Sequence, residues 1–196
     1  MILTAHQPVY LPWLGLFQKI ASADVFVIFD TVQYLPKEWM NRNKIKIKNN
    51  YLYLSVPVLD KGFLNKKIYE IKINNNLNWK KKHFKSIYIN YKKAKFFKNY
   101  INFFEETYSK DWEFLSDLNS HMLSFFLKEL KINVKILKAS DLNLKGKKSD
   151  LVLDMCKKLN SDTYIFGEQG ESYADIESFN GNGIDVVFQK YDNPIY

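Results

Sequence analysis

The sequence predicts an α/β protein: a mainly parallel sheet flanked by helices, with a β-hairpin excursion and a two-helix segment, in a single domain over residues 1–196. Three observations predict it. Short apolar runs of strand length alternate with helically spaced segments, the pattern of a parallel sheet joined by helical crossovers. The run at 25–29 (VFVIF) is continuously apolar, which suits a strand covered on both faces. Residues 79–130 carry apolar positions at helical spacing instead, and form the helical segment. A 46% apolar share over 196 residues is enough for a sizeable core.

The elements follow in order. Residues 2–5 read as a short buried strand. Pro12 then opens a helix at its first position, where a missing N–H does no harm, and Trp13, Phe17, Ile20 and Ala21 share one face of it. After the strand at 25–29, the alternation Lys44-Ile45-Lys46-Ile47-Lys48, the turn pair Asn49-Asn50 and the run at 51–58 read as a hairpin. Residues 68–73 alternate again and extend the same sheet. Two long helices are expected at 79–108 and 112–130, with Phe84, Ile87 and Tyr91 on one face of the first and Leu115, Leu118, Met122 and Phe126 on one face of the second. Strands at 134–137, 163–166 and 184–188 bracket a helix at 151–159, with Ser149 as its N-cap and Asp150 favourable beside the positive helix end. Parallel sheets bind ligands beyond the carboxyl ends of their strands, so the tips after Ala5, Phe29 and Phe166 are expected at one rim.

Composition narrows the function classes. The formal charge is +8, concentrated in Lys- and Asn-rich stretches such as 44–50 and 80–98. Such a surface attracts phosphates, nucleic acid or an anionic membrane, or is simply a solvated face. Arg42 is the only arginine, which disfavours a nucleic-acid reader, since bidentate base contacts call for several. Cys156 is the only cysteine, so an intrachain disulfide and a Cys-x-x-Cys zinc site are excluded, and its apolar surroundings mark it as a small core residue. No apolar run reaches membrane-spanning length and the N-terminus lacks the regions of a secretory signal, so a cytoplasmic location is expected.

Chemistry-bearing residues crowd into the first forty-odd positions and point to a small-molecule site. His6-Gln7 ends the first strand; histidine can move a proton or bond a phosphate, and glutamine offers a donor and an acceptor. Pro8 and Pro12 stiffen the loop that carries Tyr10 and Trp13. Asp30 follows the second strand with Gln33 and Tyr34 close behind; a carboxylate there can act as a base or simply cap a turn. Trp39, Asn41, Arg42, Asn43 and Lys44 form a third cluster, in which Arg42 and Lys44 could clamp a phosphate, the two asparagines could read a sugar or base edge, or the whole could be an ordinary polar loop. Lys82-His83 lies on the long helix, where a core histidine is the stronger reading. Gly167 follows a strand within Gly167-Glu168-Gln169-Gly170-Glu171-Ser172-Tyr173; glycine there admits a phosphate, but Glu168 and Glu171 would repel one. No P-loop, G-x-G-x-x-G, G-x-S-x-G or H-E-x-x-H motif occurs, and no metal site is expected.

With these residues in view, the chain resembles the WbqC-like family. The resemblance rests on Ala5-His6-Gln7-Pro8, Tyr10-Leu11-Pro12-Trp13, Gly15, Phe17, Lys19-Ile20 and Ala23-Asp24, and then on Asp30, Val32-Gln33-Tyr34, Trp39 and Asn41-Arg42-Asn43-Lys44-Ile45. It continues through Trp79, Lys82-His83, Ile87, Tyr91, Ala94, Gly183-Ile184, Val186, Phe188-Gln189, Pro194 and Tyr196. One departure is that a Ser-Gly pair is expected after the penultimate strand where this chain has Phe166-Gly167, which offers no hydroxyl at that position. The chain also ends close after the last motif, short of the expected tail. The resemblance implies work in bacterial O-antigen or surface-polysaccharide biosynthesis on a nucleotide-linked sugar. The expected reaction is transfer of an acyl or aminoacyl group to a sugar amine, with an acyl or aminoacyl donor and no tightly bound cofactor.

On that reading His6 or Asp30 is the base, with Gln7, Asn41 or Asn43 as donors to the developing oxyanion. Arg42, Lys44 and Lys19 hold the diphosphate, and Tyr10, Trp13, Tyr34 and Trp39 stack on base or sugar. Gln33, Lys82, His83, Gly167 and Tyr173 complete the expected substrate-binding set. Two alternatives stay open: a nucleotidylyltransferase-like enzyme needing magnesium, with Asp30 as its metal contact, and a non-catalytic binding module using its lysine-rich helix. The long helices could also serve a homodimer.

Overall fold

The structure is a computed structural model that describes residues 1–59 and 62–194, with Phe63 described in its backbone alone. Tyr196, the last motif residue of the resemblance, lies outside the described residues. In chain order the elements are β1 (Ile2–His6), α1 (Leu14–Ala21), β2 (Val25–Ile28), β3 (Arg42–Ile47), β4 (Asn50–Ser55), α2 (Trp79–Tyr91), α3 (Phe97–Ser109), α4 (Leu115–Glu129), β5 (Lys135–Lys138), α5 (Ser149–Lys158), β6 (Thr163–Phe166), α6 (Ile176–Asn180) and β7 (Asp185–Phe188). Two compact units result, one formed by Met1–Pro8, Pro12–Val32 and the chain from Leu123 onward, the other by Val9–Leu11 and Gln33–Met122.

The first unit is the α/β unit that the alternating pattern predicts. Its five strands are all parallel, in the order β5-β2-β1-β6-β7. After β1 the chain adds β2 and, beyond the separate β3–β4 hairpin, β5 on one side, and then returns to place β6 on the other side. The gap between β1 and β6 is therefore the topological switch point, where ligands of open α/β sheets collect. β2 is buried at every position, as its unbroken apolar run requires. Leu3, Ala5, Val25, Val27, Tyr164 and Phe166 form one sheet face and share a core with Val152, Met155 and Cys156 of α5 and Phe179 of α6. The opposite face is also covered, with Thr4, Phe26, Ile28 and Ile165 buried. Thr4 is accommodated there because its hydroxyl donates to the Ile165 carbonyl at 2.7 Å.

Local details of this unit differ from expectation. α1 starts at Leu14, so Pro12 precedes the helix rather than opening it, and Trp13 is its N-cap and is 40% exposed. The buried face is Leu16, Phe17, Lys19 and Ile20, and Ala21 faces outward. Ser149 is the first residue of α5 rather than its cap, because its hydroxyl accepts the Asp175 N–H instead.

The second unit contains the hairpin. β3 and β4 pair antiparallel as a separate two-stranded sheet, with Ile45 opposite Leu52 and Lys44 opposite Tyr53. Residues 68–73 do not extend it. Ile68–Glu70 is a 3-10 turn, closed by the Lys67 N–H donating to the Glu70 carboxylate, and Lys72 and Ile73 join others only through isolated bridges. The expected helix over 79–108 is two helices, α2 and α3. The chain turns back after Tyr91, which lets Phe97 pack on Tyr88 at 6.1 Å between ring centroids. A continuous helix would hold those two residues about 13 Å apart and leave the α3 stripe uncovered. The buried stripe of α2 is Trp79, His83 and Ile87, so His83 takes the place expected of Phe84 and Tyr91, which are half-buried. Among the described residues no helix is long and apolar enough to cross a membrane.

Candidate functional site

The α/β unit has a cavity of about 510 Å³ at the carboxyl ends of β1, β2 and β6, lined by Ala5, His6 and Gln7, by Phe29 and Val32, and by Phe166 and Gly167, the three tips expected at one rim. Lys19 from α1, Lys148 and Leu151 at the start of α5, and Gln169 and Tyr173 after β6 complete most of its wall. Among the described residues two lysines and no carboxylate line it, which makes it a cationic hollow; Glu168 and Glu171, expected to repel an anion, are exposed and outside that lining.

Lys19 is the unusual group. Its side chain is 3% exposed, and Nζ donates to the Ala5 carbonyl at 3.0 Å. That carbonyl takes up one of the three donors that an ammonium carries. Burial pulls its pKa down to about 8. A Cβ placed on Gly167 would lie 3.9 Å from Nζ, with no other atom of the described residues beyond its chain neighbours within 4 Å, so the missing side chain leaves open space directly against the amine. Gly170 answers a different need: a Cβ there would sit 2.6 Å from Phe166 Cβ, so the turn after β6 closes on the strand only with glycine.

His6 is half-buried beside that amine. Its Nδ1 lies 2.8 Å from the Gln7 carbonyl. A carbonyl can only accept, so Nδ1 carries the hydrogen and Nε2 of the neutral ring keeps its lone pair. Burial, and then the positive charge of Lys19, pull the imidazole pKa down to about 4, against the smaller upward pull of the Gln7 bond. The ring packs edge-on against Trp13, 5.3 Å between centroids. At neutral pH the site therefore holds a neutral imidazole and an ammonium side by side.

Asp30 stands apart from this lining. It is 2% exposed, and its two oxygens accept from the Ser140 N–H at 2.9 Å and the Ser140 hydroxyl at 2.8 Å. It anchors the turn after β5, the capping role an aspartate at a strand tip can take.

The remaining sequence candidates lie in the other unit. Tyr10 is fully buried; its hydroxyl lies 2.8 Å from His83 Nδ1 and also bonds the Tyr108 hydroxyl, while its N–H donates to the Trp39 carbonyl. Asn43 Nδ2 donates to the carbonyls of Tyr10 and Leu11, and Asn41 Nδ2 to that of Val56, so both amides hold backbone in place. Gln33 donates to the Leu64 carbonyl, and Tyr34 is buried. Arg42 lies over the Tyr53 ring and Lys44 over Tyr51, while Trp39 and Lys82 are exposed. His83 is buried, as a core histidine should be.

The structure thus groups His6, Gln7, Lys19, Gly167 and Tyr173 in one cavity and places Trp13 against His6. Sequence reasoning missed Lys148, whose lysine-rich surroundings hide it, and Gln169, which sat inside the glycine segment without a distinguishing feature. It also missed Tyr108 as the partner of Tyr10, a pairing 98 residues apart that no local spacing marks.

The pattern of the WbqC-like protein family matches residues 7–196, nearly the whole chain. The chain belongs to the WbqC-like protein family. It is also 31% identical over 184 residues to "Uncharacterized protein Rv1507c" of Mycobacterium tuberculosis (strain ATCC 25618 / H37Rv), a match covering 93% of this chain and 79% of that protein. No solved structure matches. The family match begins at Gln7 and takes in Lys19, Gly167 and Tyr173 of the cavity, while His6 stands one residue before it.

Proposed function

We propose that this protein is a transferase of bacterial surface-polysaccharide biosynthesis that moves an acyl or aminoacyl group onto the amine of a nucleotide-linked sugar. The observation that carries this reading is the pairing of a buried ammonium, Lys19, with a neutral imidazole, His6, in one cavity at the sheet's switch point that no carboxylate lines among the described residues. The resemblance to the WbqC-like family supplies the sugar and the pathway class; the cavity supplies chemistry that suits them.

In this reading Lys19, with Lys148 at the rim, binds the anionic part of the substrate, and the bare Cα of Gly167 lets it approach. The sugar amine attacks the acyl carbonyl carbon. A new N–C bond forms, the acyl–donor bond breaks, and the amine proton passes to His6 Nε2 and on to the departing donor group. Gln7 offers its amide N–H to the oxygen that becomes negative. Trp13 holds the imidazole in place.

A thermal-shift screen of the full chain against nucleotide-sugars, nucleoside triphosphates and acyl-CoA compounds tests the substrate class, because a ligand that binds only the folded state raises the melting point. A nucleotide-sugar is expected to stabilise, and His6→Ala is expected to retain that binding while losing turnover. Stabilisation by triphosphates alone, or full activity of His6→Ala, would overturn the reading.

A further inference from the structure

The longest acid-free stretch of the chain has no part in the cavity. From Ile71 to Phe104 there are nine lysines and no aspartate or glutamate. Two of those lysines are neutralised from outside the stretch, Lys72 by Glu113 and Lys80 by Asp111. Lys81, Lys85, Lys92, Lys93, Lys95 and Lys98 are exposed and have no ion pair among the described residues.

Large apolar side chains stand among them. Trp79, His83 and Ile87 form the buried stripe of α2, so helical spacing puts Lys81, Lys85, Tyr88 and Ile89 on its outward side. At the turn into α3 the chain carries two adjacent phenylalanines with opposite fates: Phe97 is 8% exposed and packed on Tyr88, while Phe96 is 58% exposed. Ile89 is 53% exposed and Tyr88 44%. Lys92 lies over the Tyr88 ring and Lys95 over the Phe96 ring, so cations and apolar groups share one surface.

We infer that the α2–α3 turn is a membrane-docking surface that seats on an anionic lipid bilayer, with Ile89 and Phe96 entering the headgroup boundary and the unpaired lysines meeting the lipid phosphates. Charge complementarity selects an anionic partner, and each lysine near such a surface adds to the attraction. The apolar groups select lipid over nucleic acid. Ile89 has no π face on which a base could stack, and the stretch has no arginine for bidentate contacts, whereas aliphatic and aromatic side chains beside lysines are what interfacial segments bury.

Co-sedimentation of the full chain with vesicles, at about 0.1 M salt where exposed charges are screened beyond about 10 Å, tests this. Binding is expected to vesicles of phosphatidylglycerol and phosphatidylcholine but not of phosphatidylcholine alone. The double variant I89S/F96S is expected to keep its circular dichroism spectrum and to lose affinity at least about tenfold, since two large apolar side chains no longer leave water. F96L should retain binding. K92E/K93E/K95E should abolish it, while K147E/K157E/K190E, an equal charge change on the other unit, should alter it less than about twofold. The inference is overturned if anionic vesicles do not bind, if I89S/F96S binds like the parent, or if the two triple variants behave alike. It is also overturned if a single-stranded oligonucleotide displaces the vesicles and binds I89S/F96S undiminished.

Discussion

The Tyr10 hydroxyl sits 2.8 Å from His83 Nδ1, with both side chains buried, and the same hydroxyl bonds Tyr108. The His83 ring also bonds the Ser55 backbone in a way that favours its protonated form, so it donates there and accepts the Tyr10 proton at Nδ1. The chain Tyr108–Tyr10–His83–Ser55 is thereby a buried polar network in which each link fixes the next. Tyr10→Phe leaves both His83 Nδ1 and the Tyr108 hydroxyl short of a partner. It is expected to cost about 1–3 kcal/mol in denaturant unfolding.

Two histidines couple stability to acid. His6 and His83 each have a pKa lowered to about 4 by burial, against 6.5 for the free side chain. Between those values the unfolded chain binds more protons than the folded one, so stability rises with pH across the window. The contribution is complete above about pH 6.5 and is lost as pH falls toward about 4, at most about 3 kcal/mol per histidine. Melting temperatures measured from pH 7 to pH 4.5 should fall steeply, and the fall should be shallower in His6→Ala.

Lys19 sets binding against stability. Its pKa is lowered to about 8 from 10.5, so the folded state gives up this proton more readily than the unfolded one, and below about pH 8 the buried charge destabilises the ligand-free protein. Lys19→Met keeps the stem and removes the charge. It is expected to raise the melting temperature of the free protein and to abolish stabilisation by the nucleotide-sugar. In the parent, calorimetric affinity for that ligand should decline as pH rises through about 8.

The two glycines after β6 separate fold from site. Gly170→Ala forces a methyl against Phe166 and is expected to cost about 1–3 kcal/mol. Gly167 has φ −72° and room for a Cβ, so Gly167→Ala should melt like the parent. That methyl would occupy the approach to Lys19 Nζ, and ligand affinity is expected to drop about tenfold. Equal melting with undiminished affinity would remove Gly167 from the site.

Much of this protein is legible in its sequence because the signals are local. The unbroken run at 25–29, the alternation in β3 and the strand at 163–166 each report their own burial, and the parallel sheet with its hairpin excursion follows from their order. The gathering of the His6, Phe29 and Phe166 tips at one rim is likewise legible, since parallel strands end on the same side. What the sequence could not decide depends on partners distant along the chain. Asp30 has the same chemistry whether it faces a cavity or Ser140, 110 residues away, and only packing assigns it to Ser140. The break between α2 and α3 leaves no local mark, because the apolar phase runs on through it and the reversal is driven by burial of one helix against the other. Lys19 is one lysine among many until the fold puts its ammonium on the Ala5 carbonyl and against Gly167, where desolvation turns an ordinary charge into the group that sets this candidate cavity apart.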